Sequence, residues 1–148
     1  MAEWCLEDFS VGQTFGSGRL IVDQGRIKSF AAEFDPQPFH LDEDAARVSI
    51  FGGLAASGWH TAAMTMKLLV ESELRIAGGL IGAGFDELRW PKPVRPGDER
   101  RVHSEVIEVR RSRSRPTQGM VKVRITTLNQ NDEAVQVSVS NIVVPCRS

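Results

Sequence analysis

Asp35 and His40 lie five positions apart in the segment DPQPFHLD, residues 35–42. Pro36 and Pro38 stiffen that stretch and predict a loop without regular helix. A carboxylate and an imidazole held around one small volume suit the addition of water. One group removes a proton from water while the other positions it or handles the second proton. A plainer reading also fits: Asp35 as a turn residue before proline and His40 as a surface side chain. Ser57-Gly58 is the second feature. Free N–H groups and the positive dipole end point outward from a helix start, and they can stabilise an oxyanion forming on a ligand carbonyl. Gly58 has no Cβ, so a carbonyl can come close to its N–H. A helix start with glycines placed for packing explains the spacing equally well.

These residues need elements to hold them. Residues 13–21 read as a first strand interrupted by glycine. Asp23 caps a helix carrying Ile27, Phe30, Ala31 and Phe34 on one face. Pro36 stops it, which leaves Asp35 just past its end. A short helix starts at Glu43, capped by Asp42. Ser57 caps the long helix, ~20 residues with an apolar stripe of Ala62, Ala63, Met66, Leu69 and Val70, ended by Gly78-Gly79. Residues 80–90 and 99–110 read as strands, joined through Pro91, Pro93, Pro96 and Gly97. Val121, Val123 and Ile125 alternate with polar residues, and after the turn at residues 129–132 so do Val135, Val137 and Val139. The apolar parity flips to Ile142 and Val144, which predicts a bulge or a second buried face near Asn141. Helices early and strands late predict an α+β fold: an antiparallel sheet wrapped around a long central helix, in one domain over residues 1–148.

Composition narrows the function. The apolar fraction is 41%, the charged fraction 25% and the net charge −1, so bulk electrostatics do not point to nucleic acid or an anionic membrane. No stretch approaches the roughly 18 consecutive apolar residues of a membrane span. The start MAEWCLEDFS lacks a basic, apolar leader pattern, and Cys5 and Cys146 make no metal pattern or disulfide framework. The expectation is a cytoplasmic protein. Arg110, Arg111, Arg113 and Arg115 form a basic cluster, read either as a phosphate-binding surface or as a solvated loop. His103, among charged neighbours in a strand, is expected to be exposed, and His60 to be a satisfied structural histidine.

The stretch FDPQPFHLDEDAARVSIFGGLAASGWHTAAM closely resembles the core motif of MaoC-like dehydratases, which include the (R)-specific enoyl-CoA hydratases. GFDELRWPKPVRPGDERRVHSEVIEV resembles the same family downstream, and the likeness spans roughly residues 10–145. The resemblance implies a hot-dog fold and a homodimer. It assigns catalysis to Asp35 and His40, which hold the attacking water, with the Gly58 N–H as oxyanion donor. It implies hydration of a trans-2-enoyl-CoA to a 3-hydroxyacyl-CoA, with no cofactor beyond the coenzyme A of the substrate and no metal. Ser57, Trp59, Lys92 and Arg111 are the expected substrate contacts, the last two for the pantetheine and phosphates. The chain departs from the family in places. Met66 stands where many family members carry a serine, Ser57 where a histidine is common, and Trp59 and His60 where aliphatic residues are usual. Trp59 either narrows the acyl pocket or packs on the sheet. A hot-dog thioesterase is the alternative enzyme, disfavoured because the acid lies in the upstream loop and the helix stripe has none. A non-catalytic acyl-thioester-binding protein is the third reading, and it would need neither Asp35 nor His40.

Overall fold

The valine-rich alternation of the C-terminal half makes three long strands. In the computed structural model, which describes residues 3–147, β4 (Glu99–Arg111), β5 (Gln118–Leu128) and β6 (Ala134–Pro145) form an antiparallel meander. β1 (Thr14–Gly16) and β3 (Ile81–Arg89) flank it in the order β1-β4-β5-β6-β3. β2 (Leu20–Ile21) pairs with β4 as well. Among the described residues four α-helices precede β3, after a 3-10 turn at Leu6–Asp8: α1 (Gln24–Phe34), α2 (Pro38–Leu41), α3 (Glu43–Arg47) and α4 (Gly58–Val70). Leu68 and Leu69 of α4 share a core with Val102, Val106, Val121, Val123, Ile125 and Ile142 of the sheet. The expected α+β arrangement, a sheet wrapped around one helix, is present. No described helix is long and apolar enough to cross a membrane.

The caps behave as read. The Asp23 carboxylate accepts the Arg26 N–H at 2.9 Å, and the Asp42 carboxylate accepts that of Ala45 at 3.1 Å. The first strand is two short ones instead of one. Ser17 breaks it: its hydroxyl accepts the Val102 N–H at 2.7 Å, replacing a ladder bond with a side-chain one. The stretch expected to be loop contains a turn of helix, α2, because Pro38 falls at its first position, where the missing N–H costs nothing.

α4 is shorter than expected, 13 residues. The Ser72 hydroxyl donates to Leu69 O at 2.6 Å and accepts the Leu74 N–H at 3.1 Å, closing a local turn that competes with another helical turn. Leu74 and Ile76 then run into the core, and Gly78 and Gly79 serve a later turn at positive φ. The buried face also differs. His60, Thr61, Met64, Thr65, Leu68 and Leu69 face inward, while Met66 and Val70 are exposed. The Thr65 hydroxyl is satisfied by Thr61 O at 2.9 Å and by the Thr127 hydroxyl at 2.6 Å. A hydrogen-bonded threonine buries cheaply, so hydropathy alone chose the wrong face.

The parity change in β6 is a second buried face. Ile125 lies opposite Ser138, Val123 opposite Ser140 and Val121 opposite Ile142, with no register shift between them. The helix-facing side therefore runs Gln136, Ser138, Ser140, Ile142, Val144. In β6 itself the bulge sits earlier, where Leu128 pairs with Ala134 and Thr127 with Gln136, leaving Val135 as the extra residue, while the irregularity opposite Asn141 belongs to β3, which shifts register between Gly82 and Gly84.

Candidate active site

Asp35 is the C-cap of α1, its N–H bonded to Ala31 O at 2.9 Å. α2 follows at once and carries His40, which is buried. The two side chains converge: His40 Nε2 lies 3.4 Å from Asp35 Oδ2. Each is held by a second partner. His40 Nδ1 sits 2.6 Å from Ala55 O. A carbonyl only accepts, so Nδ1 carries the hydrogen and a neutral ring presents a bare Nε2. The Ser57 hydroxyl donates to Asp35 Oδ2 at 2.7 Å and accepts the Trp59 N–H at 3.2 Å. That second bond fixes which way the hydroxyl points. Two acceptors then face one another, an arrangement relieved by a shared proton or by a water that donates to them.

Ala55 O was not legible as a functional group, nor was the residue that secures it. Arg95 Nη1 donates to Gly53 O at 2.8 Å and Leu54 O at 3.3 Å, and Nη2 to Phe51 O. Ala56 N–H bonds to Val94 O at 2.9 Å. This clamp fixes the segment that orients His40. Its only sequence signal is an arginine inside the stiff turn PVRPGD. Phe39 and Phe51 wall the imidazole, the former edge-on at 4.7 Å between centroids.

Gly58 opens α4, and its N–H has no acceptor among the described residues. Its missing side chain serves a neighbour: a Cβ there would lie 2.9 Å from the Trp90 ring. The indole is thus seated directly on the helix start. A cavity of about 320 Å³ lies beside it, lined by His40, Phe51, Gly58, Thr61, Trp90 and Lys92 among others. Trp59 is mostly exposed and stands edge-on to Trp90 at 5.4 Å, so it forms an outer layer of this wall instead of packing on the sheet.

The other expected contacts divide. Lys92 lines the cavity and pairs with Glu133. Arg111 is not brought there: it pairs with Glu7 at 3.0 Å, at the end of β4 remote from Arg95. From Arg101 to Arg111 the strand runs about 33 Å at the usual rise. His103 is exposed, as expected. His60 is buried and stacked on Phe30 at 4.7 Å, but its Nδ1 has no partner, so it is not the satisfied histidine expected. Burial, then the nearby positive charges of Arg26 and Arg100, holds its pKa below the usual value.

A sheet wrapped around one helix defines a hot-dog protein, and here a carboxylate–imidazole pair lies above that helix's N-terminus. The MaoC-like domain model matches residues 8–129, and the chain belongs to that family. A MaoC-like dehydratase from Rhodospirillum rubrum is 56% identical, with TM-score 0.94 over 98% of this chain and 99% of that one. More distant structures share the fold. The R-hydratase PhaJ1 of Pseudomonas aeruginosa superposes with TM-score 0.73 at 24% identity, over 97% of this chain and 86% of that one. The double hot-dog protein Rv0216 of Mycobacterium tuberculosis gives 0.81 at 18% identity, over 98% of this chain and 45% of that one.

Proposed function

We propose that the protein adds water reversibly to a trans-2-enoyl-CoA, giving a 3-hydroxyacyl-CoA. The observation that carries this is the Asp35–His40 pair at 3.4 Å, with each member locked by a second bond. A water donating to both groups is set to attack C3. His40 Nε2, fixed unprotonated, takes its proton, and the proton delivered to C2 comes from the same pair. Asp35 Oδ2 orients the water and balances the imidazolium. The thioester oxygen, negative in the transition state, faces the Gly58 N–H. Water addition transfers no electrons, so the coenzyme A of the substrate is the only cofactor moiety the reaction needs. Lys92 at the cavity is the phosphate or pantetheine contact within the chain. Arg111 can serve that role only from another copy.

The name of the R-hydratase PhaJ1 supports this reading. A thioesterase lacks its acid: Glu71 follows the end of α4 and pairs with Lys67 at 2.7 Å. The working form is a homodimer in this proposal. β3 is an edge strand with Ile81 and Phe85 exposed, Phe85 beside exposed Met66 of α4, and an apolar edge of that kind invites pairing with a second copy. The test is a panel of enoyl-CoA esters of increasing chain length, read by loss of the conjugated-thioester absorbance. Turnover of at least one is expected, and turnover of none overturns the reading.

A further inference from the structure

A second cavity, of about 340 Å³, lies between α4 and the β3–β6 edge of the sheet. Its walls include Ala62, Met66, Leu69 and Phe85, and its floor is the helix-facing side of β6. Trp90 joins it to the catalytic cavity. The indole lines the catalytic side, and its Nε1 donates to Gln136 Oε1 at 2.8 Å, while Gln136 lines the second cavity.

The floor is polar. Gln136, Ser138 and Ser140 follow one another at alternate positions and are 3%, 1% and 7% exposed. Neither serine hydroxyl bonds to any described residue, and the Gln136 amide bonds only through the oxygen that accepts from Trp90. An indole N–H can only donate, so the Gln136 amide is oriented with its NH₂ turned away from Trp90. The neighbouring strand has Val121, Val123 and Ile125 on the same face. A cavity for a plain alkyl chain would be floored like β5, because buried polar groups left unpaired cost free energy. No Lys, Arg or His lines the cavity, so a carboxylate would enter without a counter-charge.

We infer that this cavity takes the distal part of an acyl chain bearing a neutral oxygen, a hydroxyl or a ketone, which bonds to Gln136, Ser138 and Ser140. The inference rests on the hydratase reading for the position of the thioester, and its test does not depend on turnover. Titration calorimetry on the whole protein compares hexanoyl-CoA with 5-oxohexanoyl-CoA and 6-hydroxyhexanoyl-CoA. At least one oxygenated ester is expected to bind about 10-fold more tightly than hexanoyl-CoA, the equivalent of one good hydrogen bond. The paired S138A/S140A substitution should bring that ratio close to one and strengthen hexanoyl-CoA binding. The single substitutions carry the same test if the pair does not fold. Equal or weaker binding of both oxygenated esters by the unaltered protein overturns the inference. So does a ratio that survives S138A/S140A while the dimer's dissociation constant changes, which would assign the row to contact between copies. Turnover of crotonyl-CoA alongside equal binding removes this inference alone, whereas no binding of any ester removes it together with the hydratase reading.

Discussion

The two ends of the sheet are built from different materials. At one end Leu6, Phe9, Phe15, Val106, Val121, Val123 and Val144 close into an apolar core, with Trp4 against Phe9 and Phe15 at 5.1 Å each. At the other, under α1 and the start of α4, the buried residues include His40, Ser57, His60 and Arg100. Arg100 is wholly enclosed, its three guanidinium nitrogens lack partners, and Asp98 is no nearer than 3.7 Å. Burial pushes its pKa down to about 10. The first end contributes stability through apolar area and close packing. The second holds chemical groups in place and gives up stability to do so, the pattern expected where a fold carries a site.

The sharpest division between the ends lies in activity. Asp35→Asn and His40→Ala should each lower turnover of crotonyl-CoA, or of the best ester in the panel, by about 10²–10⁴-fold. The double variant should lose little more if, as proposed, the two act on one water. Circular dichroism should show all three folded. Independent, multiplying losses would mean that the residues do not share a step.

Leu6→Ala tests the opposite end. It should destabilise the protein by about 2–5 kcal/mol in urea denaturation, with the turnover of the folded fraction unchanged. A specific loss of activity would break the separation. Arg100→Met addresses the cost borne at the site end. Replacing a wholly buried guanidinium that makes no hydrogen bond by an apolar side chain of similar length, with Asp98 still bonded to the Arg95 N–H and Gln130, should raise stability by about 1–4 kcal/mol. A destabilised variant would show that the guanidinium is compensated in solution.

The smallest effect concerns pH. His60 titrates below its ordinary 6.5 because burial and then Arg26 and Arg100 disfavour the charged ring. As pH falls through 6.5 the unfolded chain takes up a proton before the folded one does. Stability from this group is therefore present above 6.5 and declines until the folded pKa is reached. Melting temperature measured from about pH 8 to pH 5 should fall less steeply in His60→Phe than in the unaltered protein. Parallel profiles would remove His60 as the cause.

The convergence of Asp35 and His40 was legible because its signal is local. Asp35, two prolines and His40 lie within one short segment, and a chain that short and stiff has few ways to separate them. The caps at Asp23, Asp42 and Ser57 were legible for the same reason, since each acts on N–H groups within three residues. The floor of the second cavity was not. The alternation of Val135, Val137 and Val139 marks one buried face, and Val135 and Val139 are buried, but it leaves unsaid that Gln136, Ser138 and Ser140 on the opposite face are buried as well, because alternation gives the period of a strand and not whether both sides are covered. The α4 stripe failed similarly, its threonines being buried by hydrogen bonds to groups distant in the chain.

The sequence by itself determined the caps, the stiff Asp35–His40 segment, the family motif and the order of elements apart from α2 and the split first strand, all set by neighbours along the chain. Tertiary structure alone decided which faces of α4 and β6 turn inward, that Ala55 O fixes the His40 hydrogen, that Arg95 grips the segment carrying it, and that Arg111 lies far from the site. Those contacts join residues 15 to 104 positions apart. They depend on how strands pair and pack, and no local spacing records that.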